Sequence, residues 1–152
     1  MLTCANIEED LIEPESVIVF DWDNTLKICG EARKGITLRV PRLQLLKWRE
    51  NLKCEMYIIS AIRPTVMNLE TLLIEVERLA ILDLFVGSDD KIEKTDIFVR
   101  KGNVIICGYD KAESFLEACE VKDRKVFFFD DEEVNIHNFN SIVKNSICYL
   151  VK

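Results

Sequence analysis

One segment near the N-terminus joins an unbroken apolar run to two closely spaced acids. Val17–Phe20 are all apolar, and Asp21 and Asp23 follow directly. A short apolar run bounded by polar residues is typical of a buried strand that ends at a loop. Two carboxylates at the end of such a strand lose solvation energy unless a cation or hydrogen-bond donors compensate them. The segment therefore predicts a metal-binding and catalytic site.

The length and composition of the chain favour one globular unit. With 152 residues, of which 49% are hydrophobic, the chain is long enough to bury a full core. We therefore expect a single domain over residues 1–152, with residues 1–15 as a candidate flexible N-terminal segment. The net charge of −7 argues against general nucleic-acid binding and against binding to anionic membranes. No apolar run approaches the roughly 18 residues of a membrane span.

The cysteines and the N-terminal segment indicate a reducing compartment. The six cysteines are widely spaced and include no Cys-x-x-Cys pair, which argues against a zinc cluster. The first 14 residues are acidic and lack the basic and apolar regions of a secretory signal. We therefore expect free thiols and a cytoplasmic protein. The sequence predicts neither the oligomeric state nor the source.

Short apolar runs alternate with helical patterns along the chain. Strands are predicted at residues 17–20, 56–59, 126–129 and 147–151. Helices are predicted at residues 41–51, from Pro64 to Leu79, and at residues 111–119 and 133–143. In the first of these helices, Leu43, Leu46 and Trp48 are expected to face inward. Residues 84–86 form a further short apolar run, and residues 96–100 and 103–107 predict a β-hairpin or two edge strands.

This alternation predicts an α/β fold with a mostly parallel sheet that is covered by helices on both faces. In such sheets the ligand site lies beyond the carboxyl ends of the strands. Polar side chains that follow apolar runs should therefore meet at one edge of the sheet. These side chains are Asp21, Ser60, Asp130 and Asp131.

The acids among these residues are suited to phosphate chemistry. Asp21, Asp130 and Asp131 could hold Mg²⁺, which prefers oxygen ligands. Asp21 could then attack phosphorus and form an aspartyl-phosphate. Asp23 could protonate the leaving oxygen and later activate water. A plainer interpretation is a solvated turn after the strand for the first two acids, and a helix cap for the second two.

Further side chains could bind the phosphate group. Ser60 could donate a hydrogen bond to a phosphoryl oxygen or simply cap the next helix, whose N-terminus offers backbone donors. Lys111 could neutralise the phosphate and the nucleophile or be a surface lysine. Arg63 either touches phosphate or is exposed, and Trp22 either lines the pocket entrance or packs on the first loop. The candidate phosphate-binding residues are Trp22, Asn24, Ser60, Ala61, Arg63 and Lys111.

Taken in order, these motifs resemble those of the haloacid dehalogenase (HAD) superfamily. The matching elements are Asp21-x-Asp23-x-Thr25-Leu26, then Ser60, Lys111 and Asp130-Asp131, within a resemblance that runs from about Val17 to Val151. The chain looks most like the magnesium-dependent phosphatase-1 type. That likeness lies in Phe128-Phe129-Asp130-Asp131-Glu132-x-x-Asn135-Ile136 and in Ser60-Ala61-Ile62-Arg63.

The resemblance implies a Rossmann-like three-layer sandwich and a Mg²⁺-dependent phosphatase. It implies Asp21 as nucleophile and Asp23 as acid and base. It also implies Mg²⁺ held by the Asp21 carboxylate, by the backbone carbonyl of Asp23 and by one acid of the Asp130-Asp131 pair. We favour Asp131 as the direct ligand and Asp130 as a ligand through water. Lys111 is the expected lysine of the third motif, and Lys94 is the alternative.

The spacing of the motifs bears on the substrate. Only 33 residues separate Leu26 from Ser60, which leaves no room for a large cap. A site with a minimal cap or none favours a phosphorylated protein or another bulky substrate. One alternative is a small sugar-phosphate or nucleotide phosphatase with the segment near residues 96–107 as a partial lid. The other is a HAD-fold binding protein without turnover.

Overall fold

The computed structural model of the protein describes residues 1–29 and 35–152, in which strands and helices alternate. The strands of this part are β1 (Leu2–Cys4), β2 (Val17–Phe20), β3 (Lys27–Cys29), β4 (Ile36–Leu38), β5 (Glu55–Ser60), β6 (Ile92–Lys94), β7 (Val99–Lys101), β8 (Val104–Ile106), β9 (Val126–Asp130) and β10 (Ser146–Val151). The helices are α1 (Arg42–Glu50), α2 (Val66–Arg78), α3 (Lys111–Ala118) and α4 (Glu133–Ile142). None of the helices described is both long enough and apolar enough to cross a membrane.

Eight of these strands form one sheet in the order β1-β10-β9-β2-β5-β8-β7-β6. The six strands from β1 to β8 in that order run parallel, whereas β7 and β6 join antiparallel at one edge. Strands β3 and β4 form a separate antiparallel hairpin. The expected α/β fold with a mostly parallel central sheet is therefore confirmed, and it is compatible with a Rossmann-like architecture.

Both faces of the sheet are buried beneath helices. On one face, Phe20 and Phe129 stack with ring centroids 5.8 Å apart, in the same core cluster as Trp48 of α1 and residues of α2. On the other face, Phe128 stacks on Phe139 of α4 at 3.9 Å, in a cluster that includes residues of α3. Burying one such aromatic side chain stabilises the fold by about 1.5–3 kcal/mol. The two layers fix the positions of the strand ends that carry the acids.

The inward face of α1 differs from the expectation. Leu43 is 65% exposed and Leu46 is only partly buried, whereas Leu45 and Trp48 are fully buried. The prediction for Leu43 was therefore wrong and that for Trp48 was right, while Leu46 packs against the core although it is only partly buried. Residues three apart lie on the same face of a helix. Leu45 and the large Trp48 ring therefore define the face of α1 that packs on the core.

The apolar run at residues 84–86 is not a strand. A 3₁₀ turn at Leu82–Leu84 leads into it, and Phe85 is buried. The hairpin expected at residues 96–107 is present as β7 and β8, joined at Gly102. Gly102 has a φ of +54°, and a Cβ there would lie 2.9 Å from the Phe85 carbonyl oxygen, so glycine is required. Of these two strands, β7 lies next to the edge strand β6. Strand β8 lies further inside the sheet, where it pairs with β5.

The N-terminal segment, to which the sequence assigned no element, contributes strand β1. It pairs in parallel with β10 and forms one edge of the sheet. Helix α2 begins at Val66, later than Pro64, because the Thr65 hydroxyl caps it by accepting from the Asn68 backbone N–H at 3.1 Å.

Candidate functional site

The order of the strands places a crevice beside β2. The chain continues from β2 to β5 and β8 on one side and later returns to β9 on the other side. The strand order therefore reverses direction at β2. In open α/β sheets, ligands bind beyond the carboxyl ends of the strands, at the point where the order reverses. Asp21 directly follows β2, Asp130 is the last residue of β9, and Asp131 comes next. The topology therefore brings the three acids to the position where a ligand is expected.

These acids form a tight cluster with one lysine. Single carboxylate oxygens of Asp21, Asp130 and Asp131 all lie within 4.8 Å of one another. Lys111 Nζ, at the first turn of α3, donates to Asp21 Oδ1 and to Asp130 Oδ2, each at 2.7 Å. Asp21, Lys111 and Asp130 are buried, and Asp131 is partly exposed. Three carboxylates against one ammonium leave an excess of negative charge in the cluster.

The pKa values of the cluster reflect this imbalance. Burial raises the pKa of Asp21 to about 6, while Lys111 opposes the rise and the neighbouring Asp131 carboxyl adds to it. Burial also raises the pKa of Asp130. Burial alone would lower the pKa of Lys111, but its two carboxylate partners outweigh that effect and raise it. The lysine therefore stays charged, and the site would still gain from a further cation.

Asp130 is held by several protein donors. Its Oδ1 accepts from the Glu132 backbone N–H at 2.9 Å, and its Oδ2 accepts from Asn135 Nδ2 at 3.1 Å as well as from Lys111. The partly exposed Asp131 carboxyl faces a cavity instead. The two adjacent acids are therefore unequal, because one is fixed inside the protein and the other is open to a ligand.

The loop after β2 is held in place from two sides. The Thr25 hydroxyl donates to Asp21 Oδ2 at 2.9 Å and so fixes the orientation of the carboxylate. Asn24 has a φ of +61°, a conformation that asparagine tolerates better than most residues. Arg39 donates to the carbonyl oxygens of Thr25 at 2.6 Å and of Asn24 at 3.1 Å. This guanidinium therefore ties the loop to the chain that follows the β3–β4 hairpin.

An open cavity of about 260 Å³ lies over the cluster. Ser60, the last residue of β5, is buried at its wall. The cavity is lined by Asp21, Asp23, Asn24, Ser60, Ala61, Ile62, Tyr109, Asp131, Glu132, Val134 and Asn135. It is smaller than most pockets that enclose a whole small-molecule ligand. A compact group such as a phosphoryl group suits its size.

Asp23 belongs to a second charged group beside the cavity. Its side chain is 53% exposed, and Asp23 Oδ1 lies 2.7 Å from Lys27 Nζ. Lys27 is buried and also donates to Glu75 Oε1 of α2 at 2.7 Å. The Trp22 indole N–H donates to the same Glu75 oxygen at 2.5 Å. The Trp22 ring is therefore packed in the core, where it cannot line the cavity.

The remaining sequence candidates lie in different places. Asn24 and Ala61 are exposed and line the cavity, whereas Arg63 is exposed and does not line it. Lys94 is exposed on edge strand β6, far along the sheet from the acids, so Lys111 is the lysine in the cluster. Tyr109, which the sequence analysis did not single out, is 93% exposed at the cavity rim.

Sequence reasoning also missed four residues that support the site. Asn135 lies within the motif after β9 but was given no role. Lys27 follows Asp23 by four residues, a spacing of opposite charges that could have drawn attention. Arg39 and Glu75 reach the loop from 14 and 48 positions away, and no local pattern marks them.

A scan against protein-family models found no match to this chain. Searches of the curated proteins and of the solved structures found none either. Because one fold can carry many functions, the function has to be inferred from the residues of the site.

Proposed function

We propose that the protein is a Mg²⁺-dependent phosphatase of the HAD type, which hydrolyses phosphate monoesters through an aspartyl-phosphate on Asp21. The observation that carries the proposal is the bridge from Lys111 Nζ to Asp21 and Asp130, 2.7 Å each, beside the open carboxyl of Asp131. Phosphoryl transfer to a carboxylate needs a fixed nucleophile and positive charge next to it. This cluster offers the nucleophile, one cation and ligands for a second.

The donor set fits Mg²⁺. All candidate ligands are oxygens, and Mg²⁺ combines one or two carboxylates with waters and substrate phosphate. Asp21 and Asp131 would bind the ion directly, together with the backbone carbonyl of Asp23. Asp130 would act through water, because its oxygens already accept from Lys111, Asn135 and Glu132. The bound ion would neutralise charge on Asp21 and on the phosphoryl oxygens.

In the first step, Asp21 attacks phosphorus and the bond to the leaving oxygen breaks. Thr25 and Lys111 hold the two Asp21 oxygens at 2.9 and 2.7 Å, which orients the carboxylate before it attacks. Lys111 and the Ser60 hydroxyl at the cavity wall stabilise charge on the phosphoryl group. The Asp23 carboxyl gives its proton to the leaving oxygen.

In the second step, water replaces the leaving group. The Asp23 carboxylate takes a proton from that water as it attacks phosphorus, and the bond to Asp21 breaks. Inorganic phosphate leaves, and both aspartates return to their starting forms. The position of Asp23 at the cavity, two residues from the nucleophile, allows it to serve in both steps.

The shape of the site favours a bulky substrate. A cavity of about 260 Å³ accepts the phosphoryl group while the rest of the substrate stays outside. Strands β7 and β8, in the segment near residues 96–107 that was a candidate lid, are instead part of the sheet. A phosphorylated protein or another large molecule therefore fits the site better than a small metabolite that must be enclosed.

The test is hydrolysis of 4-nitrophenyl phosphate. We expect activity that needs Mg²⁺, stops in EDTA and returns when Mg²⁺ is restored. Asp21→Asn should lower kcat by at least about a thousandfold, as expected for loss of a covalent nucleophile. Asp123→Asn is the matched control, since Asp123 is exposed in the turn before β9, at the other end of that strand. Full activity in EDTA, or in Asp21→Asn, would contradict the proposal.

A further inference from the structure

Lys27 occupies an unusual position for a lysine. Its side chain is only 10% exposed, whereas its two partners, Asp23 and Glu75, are 53% and 31% exposed. Burying an ammonium is costly unless it is paired and hydrogen-bonded. Lys27 Nζ meets that requirement with an oxygen of each acid, both at 2.7 Å. The lysine is therefore fixed between a cavity residue and a helix.

On the helix side of this contact, Glu75 is held by a further hydrogen bond and by buried neighbours in the sequence. Glu75 lies in α2 and also accepts the indole N–H of the buried Trp22. Leu72 and Val76, on either side of Glu75 in the sequence, are buried in the core. Lys27 is thus anchored at Glu75, and its ammonium group can donate a second hydrogen bond to Asp23.

We propose that Lys27, anchored by Glu75, is a positioning residue for Asp23 that holds its carboxyl at the cavity, in position for proton transfer. The inference rests on the proposed function. It goes beyond that function by adding two residues outside the acid and lysine cluster to the reaction.

The reason lies in the proton balance of the first step. As Asp21 bonds to phosphorus, the P–O bond to the leaving group breaks, and the leaving oxygen takes the proton from Asp23. The transfer succeeds only if the Asp23 carboxyl is oriented towards the leaving oxygen. The 2.7 Å contact of Lys27 Nζ with Asp23 Oδ1 fixes one oxygen of that carboxyl beside the cavity.

The consequence depends on the leaving group. An alkoxide needs the proton of Asp23, whereas 4-nitrophenolate leaves readily without it. Loss of Lys27 should therefore slow the hydrolysis of an alkyl phosphate much more than that of 4-nitrophenyl phosphate. A lysine that merely braced the β3–β4 hairpin against α2 would affect both substrates equally.

The experiment compares kcat/KM for 4-nitrophenyl phosphate and glycerol 2-phosphate, because kcat/KM reports the transfer to Asp21. For Lys27→Met we expect a loss of about 10- to 100-fold on the alkyl substrate and only a few-fold on the aryl substrate. Lys27→Arg should recover most of the alkyl activity. Arg42→Met is the matched control, because it removes an exposed ion pair between two elements, that of Arg42 with Asp83, and should change neither value.

Glu75→Gln provides a second variant in case Lys27→Met does not fold. It keeps an oxygen that accepts from Trp22 but removes the charge that anchors Lys27, so the same selective loss should appear at a few-fold level. One outcome is that the variants that fold lose activity equally on both substrates, while the wild type is active and Asp21→Asn is inactive. That result would overturn this inference and leave the proposed function standing. A wild-type protein that hydrolyses neither substrate would overturn the proposed function and this inference with it.

Discussion

Lys111 Nζ donates to Asp21 Oδ1 across 2.7 Å, although the two residues are 90 positions apart in the chain. Both side chains are buried, and the lysine is also bonded to Asp130. Removing an ammonium from water costs several kcal/mol, and only well-placed carboxylates offset that cost. The contact therefore belongs to the fold as well as to the site, since it ties α3 to the ends of β2 and β9.

Replacing Lys111 should destabilise the protein strongly. Lys111→Met leaves Asp21 and Asp130 buried without their cation, and breaking a buried pair in this way costs about 3–5 kcal/mol. The measurement is urea unfolding in EDTA. Lys125→Met is the control, because its partner Glu13 and Lys125 itself are about half exposed, and such pairs contribute about 1 kcal/mol or less. Equal effects of the two substitutions would contradict the role assigned to Lys111.

In the metal-free protein, the contribution of Asp21 to stability should fall as pH rises from about 4 to 6. Asp21 has a folded pKa of about 6 against an ordinary value of 3.8, so within this window the folded state binds more protons than the unfolded state. Stability falls with rising pH wherever the folded state binds more protons. A shift of about two pKa units corresponds to roughly 3 kcal/mol in total.

Asp21→Asn isolates this contribution, because asparagine has no charge to bury. We expect the difference in free energy of unfolding between variant and wild type to grow in favour of the variant across the window. Urea unfolding in EDTA at several pH values measures it. A difference that stays constant from pH 4 to pH 7 would show that Asp21 is not the group responsible.

The sequence predicted those features that are encoded locally. The apolar runs before Asp21 and Asp130 are short and unbroken, which marks buried strands, and parallel strands bring their carboxyl ends together. The cluster of acids at one sheet edge could therefore be anticipated from residue order alone. The position of Lys111 at a helix start could be anticipated as well, but its contact with two acids could not.

Features that depend on distant packing could not be predicted in the same way. Leu43 and Leu45 are both apolar residues of α1, and only the position of Trp48 against the sheet decides which of them is buried. The Lys27–Glu75 contact joins two residues 48 positions apart, each of which looks like an ordinary surface charge in the sequence. Strand β1 has three residues, too few for a periodic pattern to mark it.

Asp130 and Asp131 should respond differently to the same substitution, although they are neighbours. Asp131→Asn removes a partly exposed carboxylate that faces the cavity, so it should raise the Mg²⁺ concentration needed for half-maximal activity by about tenfold or more. The free energy of unfolding of the Asp131→Asn variant, measured in EDTA, should change little. Asp130→Asn instead weakens the hydrogen bonds from Lys111, Asn135 and the Glu132 backbone, so it should cost about 2–4 kcal/mol of stability.

Two measurements separate these outcomes. Mg²⁺ titration of phosphatase activity reports the ligand, and urea unfolding in EDTA reports the buried network. If Asp130 were the direct ligand, Asp130→Asn would have the larger effect on the Mg²⁺ requirement, and Asp131→Asn would change it little. The assignment of Asp131 depends on its being the one acid of this pair whose carboxyl lines the cavity, because a metal ion that also binds substrate phosphate must be reachable from there.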